Sequence, residues 1–186
     1  EMGFDNEGKI VALRIKTFAN LGAYLSTFGS CVPTYLHGTL VQGLYTTPKI
    51  NIDVTAVFTH TTAVDAYRGA GRPEATYLLE RLIDLAALEM NMDPAALRFK
   101  NFIPPFDGVT QPGYQTQVAL QYDSGNYEGV LKKGLEMLGY ENIRKAQKEA
   151  AKNGKLLGVG FSTYIEACGI APSAVVGSLG ARAGLF

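Results

Sequence analysis

"VDAYRGAGRPEA", residues 64–75, sets a Gly-Ala-Gly between two arginines and ends on a proline ahead of a long apolar run. Proline lacks the N–H that the first helical turn leaves unpaired, so Pro73 is expected at the first position of a helix. Glu74 then complements the positive end of the helix dipole. Ala75, Leu78, Leu79, Leu82, Leu85 and Ala86 recur at helical spacing as an apolar stripe, with Tyr77, Arg81 and Asp84 opposite. Upstream, INIDVTAVFT at 50–59 is β-branched and alternating, the pattern of a half-buried strand. A strand, a bare loop and an amphipathic helix in succession argue for an α+β (mixed α/β) fold.

Working outward, residues 9–17 alternate well enough for a strand after the turn cluster Asp5-Asn6-Glu7-Gly8. Ile10, Ala12 or Val11, Leu13 and Ile15 are its candidate core. Residues 21–48, LGAYLSTFGSCVPTYLHGTLVQGLYTTP, show no helical period and read as loop, or as short elements needing burial. Asp93-Pro94 is a cap pair for a second helix to about Lys100. Residues 111–123 are irregular, and Ser124-Gly125-Asn126 caps a helix through Leu131, Leu135 and Leu138. A polar helix over 141–153 follows, closed by Gly154 in the left-handed conformation. Residues 154–169, GKLLGVGFSTYIEACG, read as strand.

Composition narrows the possibilities. The 186 residues suit one ordinary domain, 47% of them are hydrophobic, and 17 basic side chains balance 17 acidic ones. Zero net charge argues against nucleic acid as partner, and no run reaches the ~20 apolar residues of a membrane span. Cys31 and Cys168 are too few and too distant for a disulfide framework, which points to a reducing, cytoplasmic setting. His37 and His60 lack metal-ligand spacing, so no direct side-chain metal ligation is expected. Glu1 in place of an initiator Met and the apolar tail SLGARAGLF suggest a piece of a longer polypeptide, truncated at both ends.

The loop has two readings on chemistry alone. A helix N-terminus presents unpaired N–H groups and partial positive charge, glycine lets a ligand approach the main chain, and Arg68 and Arg72 are planar forks suited to oxyanions. That describes an anion site, and with it a non-catalytic anion-binding or interaction module. Alternatively the glycines make a tight turn, and the arginines are solvated or paired with Asp65 and Glu74. Neither a phosphate-binding Gly-Lys-Ser/Thr loop nor a dinucleotide fingerprint is present.

The wording of residues 66–104, AYRGAGRPEATYLLERLIDLAALEMNMDPAALRFKNFIP, resembles the molybdopterin-binding large subunit of the xanthine dehydrogenase, aldehyde oxidase and aerobic carbon monoxide dehydrogenase family. LGAYLSTFG at 21–29 and GKLLGVGFSTYIEACG at 154–169 extend that likeness over essentially the whole chain. The resemblance implies a molybdenum hydroxylase whose metal is held by a pterin dithiolene. In that family an Arg-Gly-x-Gly loop lies beside the metal, and Arg68, Gly69, Ala70 and Gly71 match it. Tyr67 and Glu166 are weaker candidates for the substrate pocket, with a structural or channel-lining role favoured for Glu166. Cys168 reads as a small buried hydrophobe.

Departures from the family refine this. Carbon monoxide dehydrogenases read Tyr-Arg-Cys-Ser-Phe-Arg here, and their cysteine carries copper. Gly69 stands in its place, so no copper is expected, and an aldehyde or N-heterocycle is a better substrate than CO. The arginine that grips purines falls near Leu36, and Ala70 replaces the ring-stacking aromatic, which disfavours xanthine. The family's glutamate base and its Gly-Gln-Gly segment are absent, so no catalytic side chain is expected in this piece. Electrons would leave through FeS and FAD subunits or domains, making the full enzyme a hetero-oligomer. The resemblance assigns residues 1–104 to the end of a first cofactor-binding domain, 105–153 to a helical connection and 154–186 to the start of a second.

Overall fold

The computed structural model describes residues 1–118 and 120–166. The expectation for Cys168 therefore falls outside the described residues. The chain opens with strand β1 (Met2–Phe4), turns on Asp5 and returns as β2 (Ile10–Asn20). Asp5 Oδ1 accepts from the amides of Glu7 at 2.9 Å and Lys9 at 2.8 Å, and Gly8 supplies the φ of 85° that closes the turn. β1 and β2 pair antiparallel with a bulge between Gly3 and Phe4.

β2 pairs parallel with β3 (Ile50–Val57), from Leu13 against Ile50 to Asn20 against Val57, giving the order β1-β2-β3. Leu13, Ile15 and Ala19 point to the core, while Val11, Arg14, Lys16 and Phe18 face outward. Parallel pairing requires a long crossover, and residues 21–49 supply it as the reading of short elements needing burial anticipates. A wide helical turn at Val32–Leu36 runs into α1 (His37–Thr39), and Val41, Gln42, Leu44 and Tyr45 are then almost fully buried.

Helix α2 (Arg72–Glu89) begins one residue earlier than expected, leaving Pro73 at its second position and Gly71 as its cap. Its inward face is Ala75, Leu79, Glu80, Ile83 and Ala87, whereas Leu85 is 38% exposed. The stripe read from apolar residues alone is thus rotated, because a paired glutamate takes an interior position. α3 (Pro94–Asn101) is capped as expected, with Asp93 Oδ1 accepting from Ala95 N at 2.9 Å and Ala96 N at 3.1 Å. Buried Asn101 ties α3 to the first hairpin, accepting from Ile10 N at 2.8 Å and donating to Gly8 O at 2.7 Å.

Strands β4 (Tyr114–Gln115) and β5 (Gln121–Tyr122) form a small ribbon within the otherwise irregular stretch. Asn126 caps α4 (Tyr127–Leu138), Gly139 turns with φ 64°, and α5 (Tyr140–Lys152) ends at Gly154 with φ 68°. The strand expected after Gly154 does not form over 155–166, which carries no strand pairing. Side-chain contacts fix the segment instead, from Gln147 to Leu157 O and from Glu80 to Thr163. No helix of the described residues is long and apolar enough to cross a membrane.

Candidate functional site

Three consecutive left-handed residues precede α2: Gly69 at φ 105°, Ala70 at φ 42° and Gly71 at φ 93°. Only glycine tolerates the first and third comfortably, and Ala70 is strained at the second. Ala70 N donates to Tyr67 O at 2.9 Å and Arg72 N to Gly69 O at 3.1 Å, so the loop is a pair of overlapping tight turns. Among the described residues, the amides of Gly69, Gly71 and Glu74 have no protein acceptor.

The two glycines are bare for different neighbours. A Cβ at Gly71 would lie 2.7 Å from His37 N and from Val32 O, so this buried residue packs against the helical turn of the crossover. A Cβ at Gly69 would lie 2.5 Å from Pro73 Cγ. The Gly71 α-carbon therefore faces protein main chain, which corrects the expectation that the whole Gly-Ala-Gly run is open to a ligand. Arg68 and Gly69 line a cleft of about 530 Å³, along with Arg72, Arg81, Asp84 and Glu166. Ala70, Gly71 and Tyr67 are not among its lining residues, and Tyr67 projects outward at 89% exposure.

The far wall of the cleft is the segment 161–166. Arg72 Nε lies 2.7 Å from Glu166 Oε1, an ion pair rather than a linear hydrogen bond, and Arg72 Nη1 reaches Gly69 O at 3.4 Å. Arg72 is thus paired across the cleft, not with Asp65 or Glu74. Arg68 remains an exposed guanidinium at the mouth.

Glu80 and Asp84, both lining the cleft, belong to a buried polar centre that the sequence does not reveal. Glu80 receives Arg98 Nε at 3.1 Å, Arg98 Nη2 at 3.0 Å, the Tyr45 hydroxyl, Thr163 N at 2.8 Å and Thr163 Oγ1 at 2.9 Å. Arg98 Nη1 also donates to Asp84 Oδ1 at 2.9 Å. Burial opposes the Arg98 charge, but Tyr45, Glu80 and Asp84 together hold its pKa above the ordinary value. Burial, with the Glu80 charge, drives the Tyr45 hydroxyl well above the usual tyrosine range. No local sequence signal marks Glu80, because its partners Arg98, Tyr45 and Thr163 lie 18, 35 and 83 positions away.

Beneath the loop, His37 is buried, shares a 3.2 Å contact through Nε2 with Thr17 Oγ1, and leaves Nδ1 without a partner among the described residues. Burial lowers its pKa, opposed by Glu74. No cluster of three or more His, Cys, Asp or Glu among the described residues could hold a metal ion.

Comparison with known proteins supplies the context for this cleft. Residues 1–102 match the family model of the molybdopterin cofactor-binding domain. The carbon monoxide dehydrogenase large chain of Hydrogenophaga pseudoflava is 36% identical over 97% of this chain and 22% of its own length. Among solved structures, quinoline 2-oxidoreductase from Pseudomonas putida 86 superposes with a TM-score of 0.71 at 25% identity, covering 82% of this chain and 19% of that one. The Cu,Mo-CO dehydrogenase superposes at 0.65 with 31% identity, covering 83% of this chain and 20% of that one. The chain spans about a fifth of the length of these relatives. It belongs to the molybdopterin cofactor-binding domain family, and its fold matches part of the large chains of carbon monoxide dehydrogenase and quinoline 2-oxidoreductase.

Proposed function

We propose that this chain forms one wall of the cofactor seat in a cytoplasmic molybdenum hydroxylase that oxidises an aldehyde or N-heterocycle with oxygen from water. The single observation that carries this is the loop of residues 68–71, where an exposed guanidinium and acceptor-free amides converge on the start of an 18-residue helix. An anionic pterin–molybdenum group fits such a seat: Arg68 and Gly69 line the cleft, and Ala70 and Gly71 give the loop its curvature. When bound, the group supplies the two-electron redox centre. Arg68 balances its negative charge, in a site that a preorganised main chain keeps from rearranging. The helix dipole adds roughly half a positive charge behind the loop. FeS and FAD partners would take the electrons, and the full-length enzyme would be a hetero-oligomer.

The substrate reading follows from Gly69, which offers no sulfur to bridge a second metal. Quinoline 2-oxidoreductase, a structural neighbour, has an N-heterocycle in its name. Carbon monoxide oxidation is the second reading, favoured by identity to the carbon monoxide dehydrogenase large chain. Metal analysis of the full-length enzyme separates the two: molybdenum without copper is expected, and stoichiometric copper would overturn the first. Arg68→Ala in that enzyme is expected to lower molybdenum content severalfold with little change in melting temperature. Unchanged molybdenum would sink the assignment of the loop. The 186-residue chain alone is expected to show no dye-linked turnover.

A further inference from the structure

The segment 155–166 has no strand pairing, yet its end reaches the glycine loop, and the means of holding it are specific. Thr163 is gripped twice by buried Glu80, through its amide at 2.8 Å and its hydroxyl at 2.9 Å. Phe161 lies over the Arg98 guanidinium at 5.4 Å and meets Tyr140 edge-on at 5.4 Å. Upstream, Gln147 Nε2 donates to Leu157 O at 2.8 Å. With Thr163 fixed, the extended chain carries Glu166 to Arg72, whose own guanidinium contacts Gly69 O. One route of contacts therefore runs from the interior of α2, out along the segment and back to the loop at the start of the same helix.

We propose that this route is a latch: Glu80 and Thr163 anchor it, and Glu166 is a positioning residue that holds Arg72, and through it the Gly69 carbonyl, in place. Holding matters here because three left-handed residues in a row, one of them alanine, do not keep that shape unaided. The consequence for the cofactor rests on the functional reading above; the latch itself does not.

The test is site-resolved hydrogen exchange of residues 67–75 in the full-length enzyme, prepared with and without molybdenum, for Glu166→Gln, Glu166→Asp and Thr163→Val. Thr163→Val preserves shape, and so avoids the unfolding that a change at buried Glu80 risks. Both Glu166→Gln and Thr163→Val are expected to speed loop exchange by about 1.5- to 5-fold, the range for a partly exposed ion pair and its support. Glu166→Asp, which keeps the charge, is expected to recover part of the protection. At about 1 M salt, where the screening length shrinks to roughly 3 Å, wild type is expected to approach Glu166→Gln. Loop exchange unchanged in Glu166→Gln and Thr163→Val overturns the latch, whatever the molybdenum content. Faster exchange with undiminished molybdenum upholds the latch and counts against the loop as the cofactor's seat.

Discussion

Gly71 and Ala70 are adjacent, share a positive φ, and respond oppositely to substitution. Gly71→Ala places a methyl group 2.7 Å from two main-chain atoms of the crossover, in a conformation alanine resists. A loss of about 2–4 kcal/mol in chemical denaturation is expected, combining overpacking with left-handed strain. Ala70→Gly relieves strain at φ 42° and is expected to be neutral or to stabilise by up to about 1 kcal/mol. A stabilising Gly71→Ala would show that the crossover does not bear on the loop. The sequence shows that this loop is bare but not why. Spacing cannot separate a glycine that admits a ligand from one that admits a neighbouring helix, because both require only the missing Cβ. Arg68 and Gly69 were legible as cleft residues; the burial of Gly71 rests on Val32 and His37, more than thirty positions away.

At the scale of elements, α2 and α3 are joined by a charge pair with no exposed surface on the arginine side. Removing one partner leaves the other charge buried and unpaired, so Glu80→Leu and Arg98→Met are each expected to cost about 3–5 kcal/mol. The double variant is expected to recover much of that in thermal melts, since an apolar pair of similar volume avoids the desolvation penalty. Full additivity of the two losses would refute the coupling. Elements that carry their own local signal were readable in advance: β3 by alternation, α3 by Asp93-Pro94, α4 by Asn126 and the end of α5 by Gly154. Those defined by distant partners were not. The strand expected after Gly154 does not form, because strand propensity needs a neighbouring strand to act upon. The face of α2 was rotated for a related reason, since a glutamate goes inside only where another helix brings an arginine.

The whole molecule covers about a fifth of the length of its relatives and leaves apolar surface to match. Met2, Phe4, Leu82, Leu85, Ala86 and Met90, with Asp5, Asn6 and Glu89 among them, line a second cleft of about 500 Å³ between β1 and α2, while Phe18, Phe58 and Leu88 are each more than 60% exposed. Exposed apolar side chains of this size favour association. The 186-residue chain is expected to bind a hydrophobic dye and to self-associate in gel filtration, and a full-length subunit to do so far less. A monodisperse chain that ignores the dye would show these faces to be self-sufficient. The contact between Gly71 and the crossover also bears on the order of events during folding. α2 and α3 are neighbours in the chain and can pair early, whereas the parallel β2–β3 register must wait for residues 21–49 to find their place. Gly71 is expected to reach its final conformation after that step, because it rests on Val32, Leu36 and His37 of the crossover. A chain that folds in this order completes the glycine loop late, and any ligand that depends on the loop meets a polypeptide whose β-layer is already assembled.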